Sequence, residues 1–305
     1  MSGVTFIIGE HREGREWISK MLDQVEELPM KREAIIVTSA DYYDFMTSYD
    51  SFHEYNFPIR VIGDQRSCGG GRNTGGLNAA HEYLIWVDAH VCFTPEDIFR
   101  LIETLDAHPG DVVGPAVVVS EFPGCEVSGG KAHGVRFSFV DTPFQWEWIP
   151  AETEEHEFEV PMVCGCAFSM SKEAFLLLSR YGGFLHSKRG LGAEEEFGMR
   201  MWRLGRKVWI EPRAKFGHYF KGYEGHRGWD EHSTAGFYES RVAAVYINVF
   251  NPSLWSHIEQ VCRERWGEEW DKNLEIAKRK YEWLRRKLEP LKDRIEEEWF
   301  FRKTL

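Results

Sequence analysis

Tyr83-Leu84-Ile85-Trp86-Val87-Asp88-Ala89-His90 is the stretch on which the reading of this chain turns. Five consecutive apolar residues suit a strand buried on both faces. At the end of such a strand Asp88 and His90, two residues apart, are expected to point the same way, because side chains alternate with period two. That sets a carboxylate and an imidazole at the C-terminal edge of a sheet, where open α/β folds bind their ligands. The pair suits a Mn-like divalent cation, and Mg less well. The tripeptide alone reads more readily as a helix-capping Asp beside a packed His, so its surroundings must decide.

Outward from this strand, the first 120 residues alternate between strand and helix patterns. Val4 to Ile8, Ala34 to Val37, Ile59 to Ile62 and Asp111 to Val119 read as further strands. Arg12 to Glu27 reads as an amphipathic helix with Trp17, Ile18, Met21, Leu22 and Val25 inward. Thr94-Pro95-Glu96-Asp97 is a helix start, with Thr as N-cap, Pro at the first position and acids in the first turn. This alternation implies a mostly parallel sheet flanked by helices. The glycine-rich run Cys68 to Gly76 does not fit a dinucleotide fingerprint, which follows the first strand of its unit. Its glycines are expected to let backbone approach a diphosphate or ribose, with Arg72 adding a guanidinium.

Pro161 to Met170 reads as an apolar strand, Ser171 to Phe175 as a helix start and Ala193 to Leu204 as a helix. Lys207 to Ile210 and Ala214 to His218 read as two short strands, and 221–236, with four glycines, as a loop. Beyond it the pattern is helical. Residues 253–305 mix 13 Lys/Arg with 12 Asp/Glu around five tryptophans, which suits helix packing or an oligomer contact through these helices.

Composition narrows the class. The chain has 305 residues, 43% hydrophobic and 28% charged, the proportions of an ordinary globular protein. No apolar run approaches the ~18 residues of a membrane span. The N-terminus enters a strand-like run at once, unlike a signal peptide. The six cysteines (68, 92, 125, 164, 166, 262) form no C-x-x-C pair, so free thiols and a cytoplasmic setting are expected. A net charge of −12 argues against general nucleic-acid coating. Residues 200–227 nevertheless carry eight Lys/Arg against two Glu, which suits an anionic ligand.

Gly71-Arg72-Asn73-Thr74-Gly75-Gly76-Leu77-Asn78-Ala79-Ala80, then a strand, then Asp88-Ala89-His90, resembles the donor half of GT-A-fold glycosyltransferases. Pro161 to Glu173, Gly192 to Arg200 and Phe216-Gly217-His218-Tyr219-Phe220-Lys221 resemble, in order, segments of family 2 enzymes and of polypeptide N-acetylgalactosaminyltransferases. The resemblance implies an α/β GT-A domain over residues 1–250, with a donor half (1–120), an acceptor half (121–250) and a lid loop (221–236). Residues 251–305 would be a helical extension outside it.

The resemblance also implies roles. Asp88, His90 and His218 would hold Mn2+ or Mg2+ together with the diphosphate of a nucleotide-sugar donor, expected to be a UDP-sugar. Gly9, Glu10, Arg72, Asn73, Gly76 and Asp88 would contact the donor, with Trp229 stacking from the lid. His226 and His232 could touch phosphate, and Arg241 would support the lid. Relatives commonly place an Asp after the second strand. This chain has Thr38-Ser39-Ala40-Asp41, so Asp41 would substitute from a shifted position. Ala193-Glu194-Glu195-Glu196 stands where inverting relatives have an acid pair and retaining ones Asn. Glu194 is therefore expected to be the base of an inverting reaction, with Glu195 the alternative in a slipped register. Three glutamates in a helix's first turn would also satisfy its macrodipole without any chemistry. The acceptor hydroxyl is not legible: saccharide, protein, lipid-linked carrier or modified nucleic-acid base all fit. Two competing readings are a sugar-nucleotide-binding protein without catalysis and an unrelated metallohydrolase.

Overall fold

The computed structural model of the chain describes residues 2–10, 14–48, 50–64, 68–121, 126–138, 145–150, 153–185, 193–219 and 231–302. A central sheet is built first from β1 (Val4–Gly9), β2 (Arg32–Thr38), β3 (Ile59–Gly63) and β4 (Tyr83–Asp88). These four are mutually parallel, in the spatial order 3-2-1-4. The chain runs outward from β1 to β3 and then returns to β1's other side. The C-terminal ends of β1 and β4 therefore flank the point where the winding reverses, the crevice in which such sheets take ligands.

Helices α1 (Arg15–Glu26), α2 (Ala40–Thr47) and α3 (Cys68–Asn78) make the crossovers. In α1, Ile18, Met21, Leu22 and Val25 recur at helical spacing and are all buried. Strand alternation divides the core into two layers. Phe6, Ile8, Ile85 and Val87 pack on the α1 face, whereas Ile7, Leu84 and Trp86 pack on the opposite face with Phe168, Phe175 and Phe184.

After β4 come a turn, the two-residue β5 (Val91–Cys92), α4 (Pro95–Ala107) and β6 (Val112–Glu121). The expected start of α4 is present as a full capping box between Thr94 and Asp97. Four short strands follow: β7 (Glu126–Ala132), β8 (Val135–Ser138), β9 (Gln145–Trp148) and β10 (Phe158–Glu159), of which β7 pairs antiparallel with β6 and β8 with β9 in a small separate sheet. Next are β11 (Ala167–Ser171), α5 (Lys172–Arg180), α6 (Ala193–Arg203) and β12 (Val208–His218). Strand β11 joins β4 antiparallel, and β6, β12 and β10 extend the sheet beyond it.

Several expectations need correction. The apolar run from Pro161 becomes a strand only at Ala167, because Gly165 and Cys166 form a turn. The two short strands expected over 207–218 are one, β12, whose register against β6 shifts between Glu211 and Lys215. The glycine-rich run is itself helical from Cys68 onward, rather than a loop leading into a helix. A Cβ at Gly69 would lie 2.0 Å from the Leu185 carbonyl oxygen, one at Gly75 2.3 Å from Ile7 Cγ2, and one at Gly76 2.5 Å from the Phe175 ring. These glycines let α3 sit against the sheet and α5 closer than any side chain allows. Cys164, Cys166 and Cys262 are free, but Cys92 is disulfide-bonded, against the expectation of six free thiols.

Three helices complete the chain: α7 (Glu231–Asn248), α8 (Pro252–Trp266) and α9 (Glu268–Leu288). They form a third core with Val135, Met162, Leu185 and Met199. Beyond α9, 3-10 turns lead to β13 (Phe301–Arg302), which pairs parallel with β8. Among the described residues, no helix is long and apolar enough to cross a membrane.

Candidate functional site

At the reversal point the ends of β1 and β4 are in register, Gly9 opposite Asp88. Backbone bonds fix the turn that follows: Asp88 N–H donates to the Cys166 carbonyl at 2.9 Å and Ala89 N–H to the Gly9 carbonyl at 3.2 Å. A turn therefore carries His90 to Asp88, not strand alternation, since β4 ends at Asp88. The chain then pairs β5 antiparallel with the end of β12, Val91 opposite His218 and Cys92 opposite Gly217. Tyr219 N–H donates to the His90 carbonyl at 3.2 Å. A Cβ on Gly217 would meet Ser120 Cβ at 2.9 Å, so this approach depends on glycine.

The result brings together three residues that the sequence separates. His218 Nε2 lies 3.9 Å from Asp88 Oδ2, and the His90 and His218 ring centroids are 4.8 Å apart. One ligand atom from each of Asp88, His90 and His218 lies within 4.8 Å of the others. An octahedral ion with bonds of about 2.1 Å keeps neighbouring donors about 3 Å apart and opposite donors about 4.2 Å. The 3.9 Å between His218 Nε2 and Asp88 Oδ2 lies between these two separations. Two imidazoles with one carboxylate suit a transition-metal dication better than Mg. Trp17 packs edge-on against His90 at 6.0 Å and tilted against Tyr219 at 5.4 Å, walling one side. The Cys166 thiol is held well above its ordinary pKa by its hydrogen bond with Cys164, then by burial, with the Asp88 charge adding to both. It stays protonated beside the carboxylate.

The other expected donor residues fall in two groups. Gly9 and Glu10 border the crevice. A Cβ at Gly9 would lie 3.8 Å from Asp88 Oδ1, so glycine keeps the mouth over that carboxylate open. Glu10 is buried, and its Oε2 accepts the Thr38 hydroxyl at 2.6 Å. That contact joins the ends of β1 and β2. Nothing local in the sequence marks it, since the two residues are 28 positions apart. Asp41 is in the first turn of α2.

Arg72, Asn73 and Gly76 carry packing duties. Arg72 donates to the Gly165 carbonyl at 2.8 Å and lies 5.4 Å from the Phe168 ring centroid. It thereby anchors the turn that receives Asp88 N–H. Asn73 uses both ends of its amide on the Phe184 backbone, each at 2.8 Å. Gly76 faces Phe175.

Glu194 and Glu195 are in the first turn of α6, which begins at Ala193. Glu196 is fully buried, in an ion pair of 2.6 Å with Arg200. Burial raises its pKa despite the opposing effects of Arg200 and Asn248. Arg241 is buried, with its guanidinium 5.8 Å from the Phe137 ring. Trp229, His226 and positions 221–230 of the expected lid lie outside the described residues. Residues 231–236, His232 among them, open α7 and correct the loop expected there.

A mixed sheet, parallel through β3-β2-β1-β4 and antiparallel where β11 joins it, with a carboxylate and two imidazoles at its reversal point, is a GT-A architecture, and solved structures bear this out. A crystal structure of GalNAc-T7 with UDP, GalNAc and Mn2+ superposes with a TM-score of 0.65 at 12% identity, covering 92% of this chain and 57% of that one. A mannosyltransferase from Pyrobaculum calidifontis, in complex with GDP-Man and Mn2+, gives 0.53 at 16% identity, covering 92% and 74%. The chain belongs to glycosyl transferase family 2, whose model matches residues 5–176. Among curated proteins it is similar to N-acetylgalactosaminyltransferase 6 of Drosophila melanogaster, 26% identical over 211 residues, 65% of this chain and 30% of that protein. It is also similar to polypeptide N-acetylgalactosaminyltransferase 11 of Xenopus tropicalis, 22% identical over 263 residues, 82% of this chain and 43% of that protein. The chain thus spans less than half the length of either relative.

Proposed function

We propose that this chain transfers a sugar from a nucleotide-sugar donor, a UDP-sugar, to a hydroxyl acceptor, with Mn2+ held by Asp88, His90 and His218. The observation that carries this reading is the convergence of those three side chains, from β4, its turn and β12, at the sheet's reversal point. When bound, the ion neutralises charge on the departing nucleoside diphosphate. The protein's own residues do the rest. Gly9 leaves the crevice open over Asp88, Glu10 and Thr38 close its β2 side, and Trp17 walls the His90 side. Glu194, or Glu195, in the first turn of α6 takes the proton of the attacking hydroxyl, which favours inversion of the anomeric centre; general bases of this kind typically contribute about 10²–10⁴-fold. Residues 1–250 form the transferase unit in this reading, and 251–305 its helical extension.

The test is a thermal-shift titration of UDP- and GDP-sugars with and without Mn2+, followed by assay of donor hydrolysis, the transfer to water. The expected result is Mn2+-dependent stabilisation by a UDP-sugar and slow hydrolysis, both abolished in Asp88→Ala. Glu194→Gln should keep donor binding and lose hydrolysis. Binding with no turnover would favour a sugar-nucleotide-binding protein, and no nucleotide binding refutes the proposal.

A further inference from the structure

Helix α6 is fastened from behind by buried polar groups, and the last of them come from the segment that follows α9. Asn248, the last residue of α7, donates through Nδ2 to Glu196 Oε1 at 3.2 Å, one turn from the start of α6. Arg200 donates to the carbonyls of Tyr181 and Gly183. Arg203, the final residue of α6, is fully buried and serves four acceptors. They are the carbonyls of Asn248 at 2.5 Å, Leu291 at 3.4 Å and Lys292 at 2.7 Å, and Glu297 Oε1 at 2.7 Å.

Glu297 also accepts the backbone N–H groups of Phe250 and Asn251 at 2.8–2.9 Å. Trp299 packs edge-on against Trp202 at 4.8 Å, and Phe301 then enters the small sheet beside Phe137. Residues 289–302 thus run as a strap from α9 across the end of α6 to β8.

Buried ion pairs contribute little net stability compared with apolar side chains of similar volume. What they do impose is one geometry, because a planar guanidinium satisfies several fixed acceptors only in a single orientation. A helix that needed stability alone could end on apolar contacts. We propose that Arg203 and Glu297 are positioning residues: the strap sets the axis of α6 and so the place of its first turn, which carries the proposed base. The lever is about 13 Å, nine residues at 1.5 Å rise from Glu194 to Arg203. A displacement of about 1 Å at a reacting group costs on the order of 10²-fold in rate. This inference rests on the reading that α6 carries the base.

The test uses the full chain with Arg203→Lys and, separately, Glu297→Gln. Lysine cannot reach all four acceptors, and glutamine offers one oxygen where the native carboxylate uses two. Whichever variant melts close to wild type is assayed for Mn2+-dependent UDP-sugar hydrolysis and for hydrogen exchange of the amides in 193–203. The expected result is a fall in kcat of about tenfold or more with KM for the donor within about twofold, and faster exchange in α6 with β1 to β4 unchanged. Unchanged exchange in α6, or faster exchange with unchanged kcat, overturns the proposal. Loss of both kcat and donor affinity overturns it too, since that marks a general structural role. A wild-type chain that hydrolyses no donor refutes the transferase reading and the inference with it, whereas failure of the variants alone leaves that reading standing.

Discussion

Replacing Gly75 by alanine separates two accounts of the glycine-rich helix, because they predict changes of opposite sign. If the glycines serve a ligand, alanine at an interior helical position should stabilise the fold by about 1 kcal/mol through helix propensity. The structure gives the opposite answer. The new Cβ would lie 2.3 Å from Ile7 Cγ2, 3.3 Å from Cγ1 and 3.4 Å from Cβ. Ile7 is buried in the middle of β1, with β2 and β4 on either side. Its β-branched side chain has little rotameric freedom to yield. Restoring a carbon–carbon contact of about 3.5–4.0 Å requires α3 to retreat by more than 1 Å. Overpacking of this kind costs about 1–3 kcal/mol, and a rigid neighbour places this case at the upper end. Set against the propensity gain of about 1 kcal/mol, the net loss is about 2 kcal/mol. Urea unfolding followed by circular dichroism measures it directly. A midpoint equal to or above wild type, with unchanged m-value, would refute the packing account.

Two further outcomes test the scaffold around the site. Thr94→Ala removes one arm of the α4 capping box and should cost about 1 kcal/mol in the same unfolding experiment; no loss would mean that Asp97 alone holds the helix start. Glu211 is fully buried. Burial pushes its pKa up, but hydrogen bonds from Arg213 and Thr104 outweigh this and leave it below the usual carboxylate range. The unfolded chain therefore binds more protons than the folded one at pH values below about 4.5. Glu211 contributes stability above that pH and loses it as the pH falls through its lowered folded value. Glu211→Gln should melt below wild type at pH 7, with the gap narrowing as the pH falls below the usual carboxylate range. A gap independent of pH would contradict this assignment.

The part of the fold legible in the sequence is the part written in short-range periodicity. Tyr83 to Val87 is apolar at every position because β4 is covered on both faces, and the period of α1 shows in four residues. The proximity of Asp88, His90 and His218 could be inferred only from the order of segments along a family, since nothing local joins position 88 to position 218. The glycines of α3 misled because their reason lies in Leu185, Ile7 and Phe175, which are remote in sequence. Glycine clusters ordinarily mark loops, and close helix packing leaves no separate local mark. The strap was invisible for a similar reason. Arg203 reads as one cation of the basic stretch 200–227, suited to an anionic ligand, and Glu297 as one acid of the mixed-charge tail, until tertiary packing buries both in one ion pair.

The pairing of β5 with the end of β12 has a consequence for how the protein acquires its function. The three side chains at the reversal point include one that is synthesised 130 residues after another (218 minus 88). The sheet that positions it also needs β6 and β11 in place. Contacts of such long sequence separation form late, because the closure entropy must be met before they reward it. The β1–β4 unit, made of near neighbours, can assemble on the ribosome well before it can gather all three donors. Under the proposed Mn2+ role, capture of a dication by this trio would report that the end of β12 has closed onto β5 and β6, a step the β1–β4 unit cannot take alone.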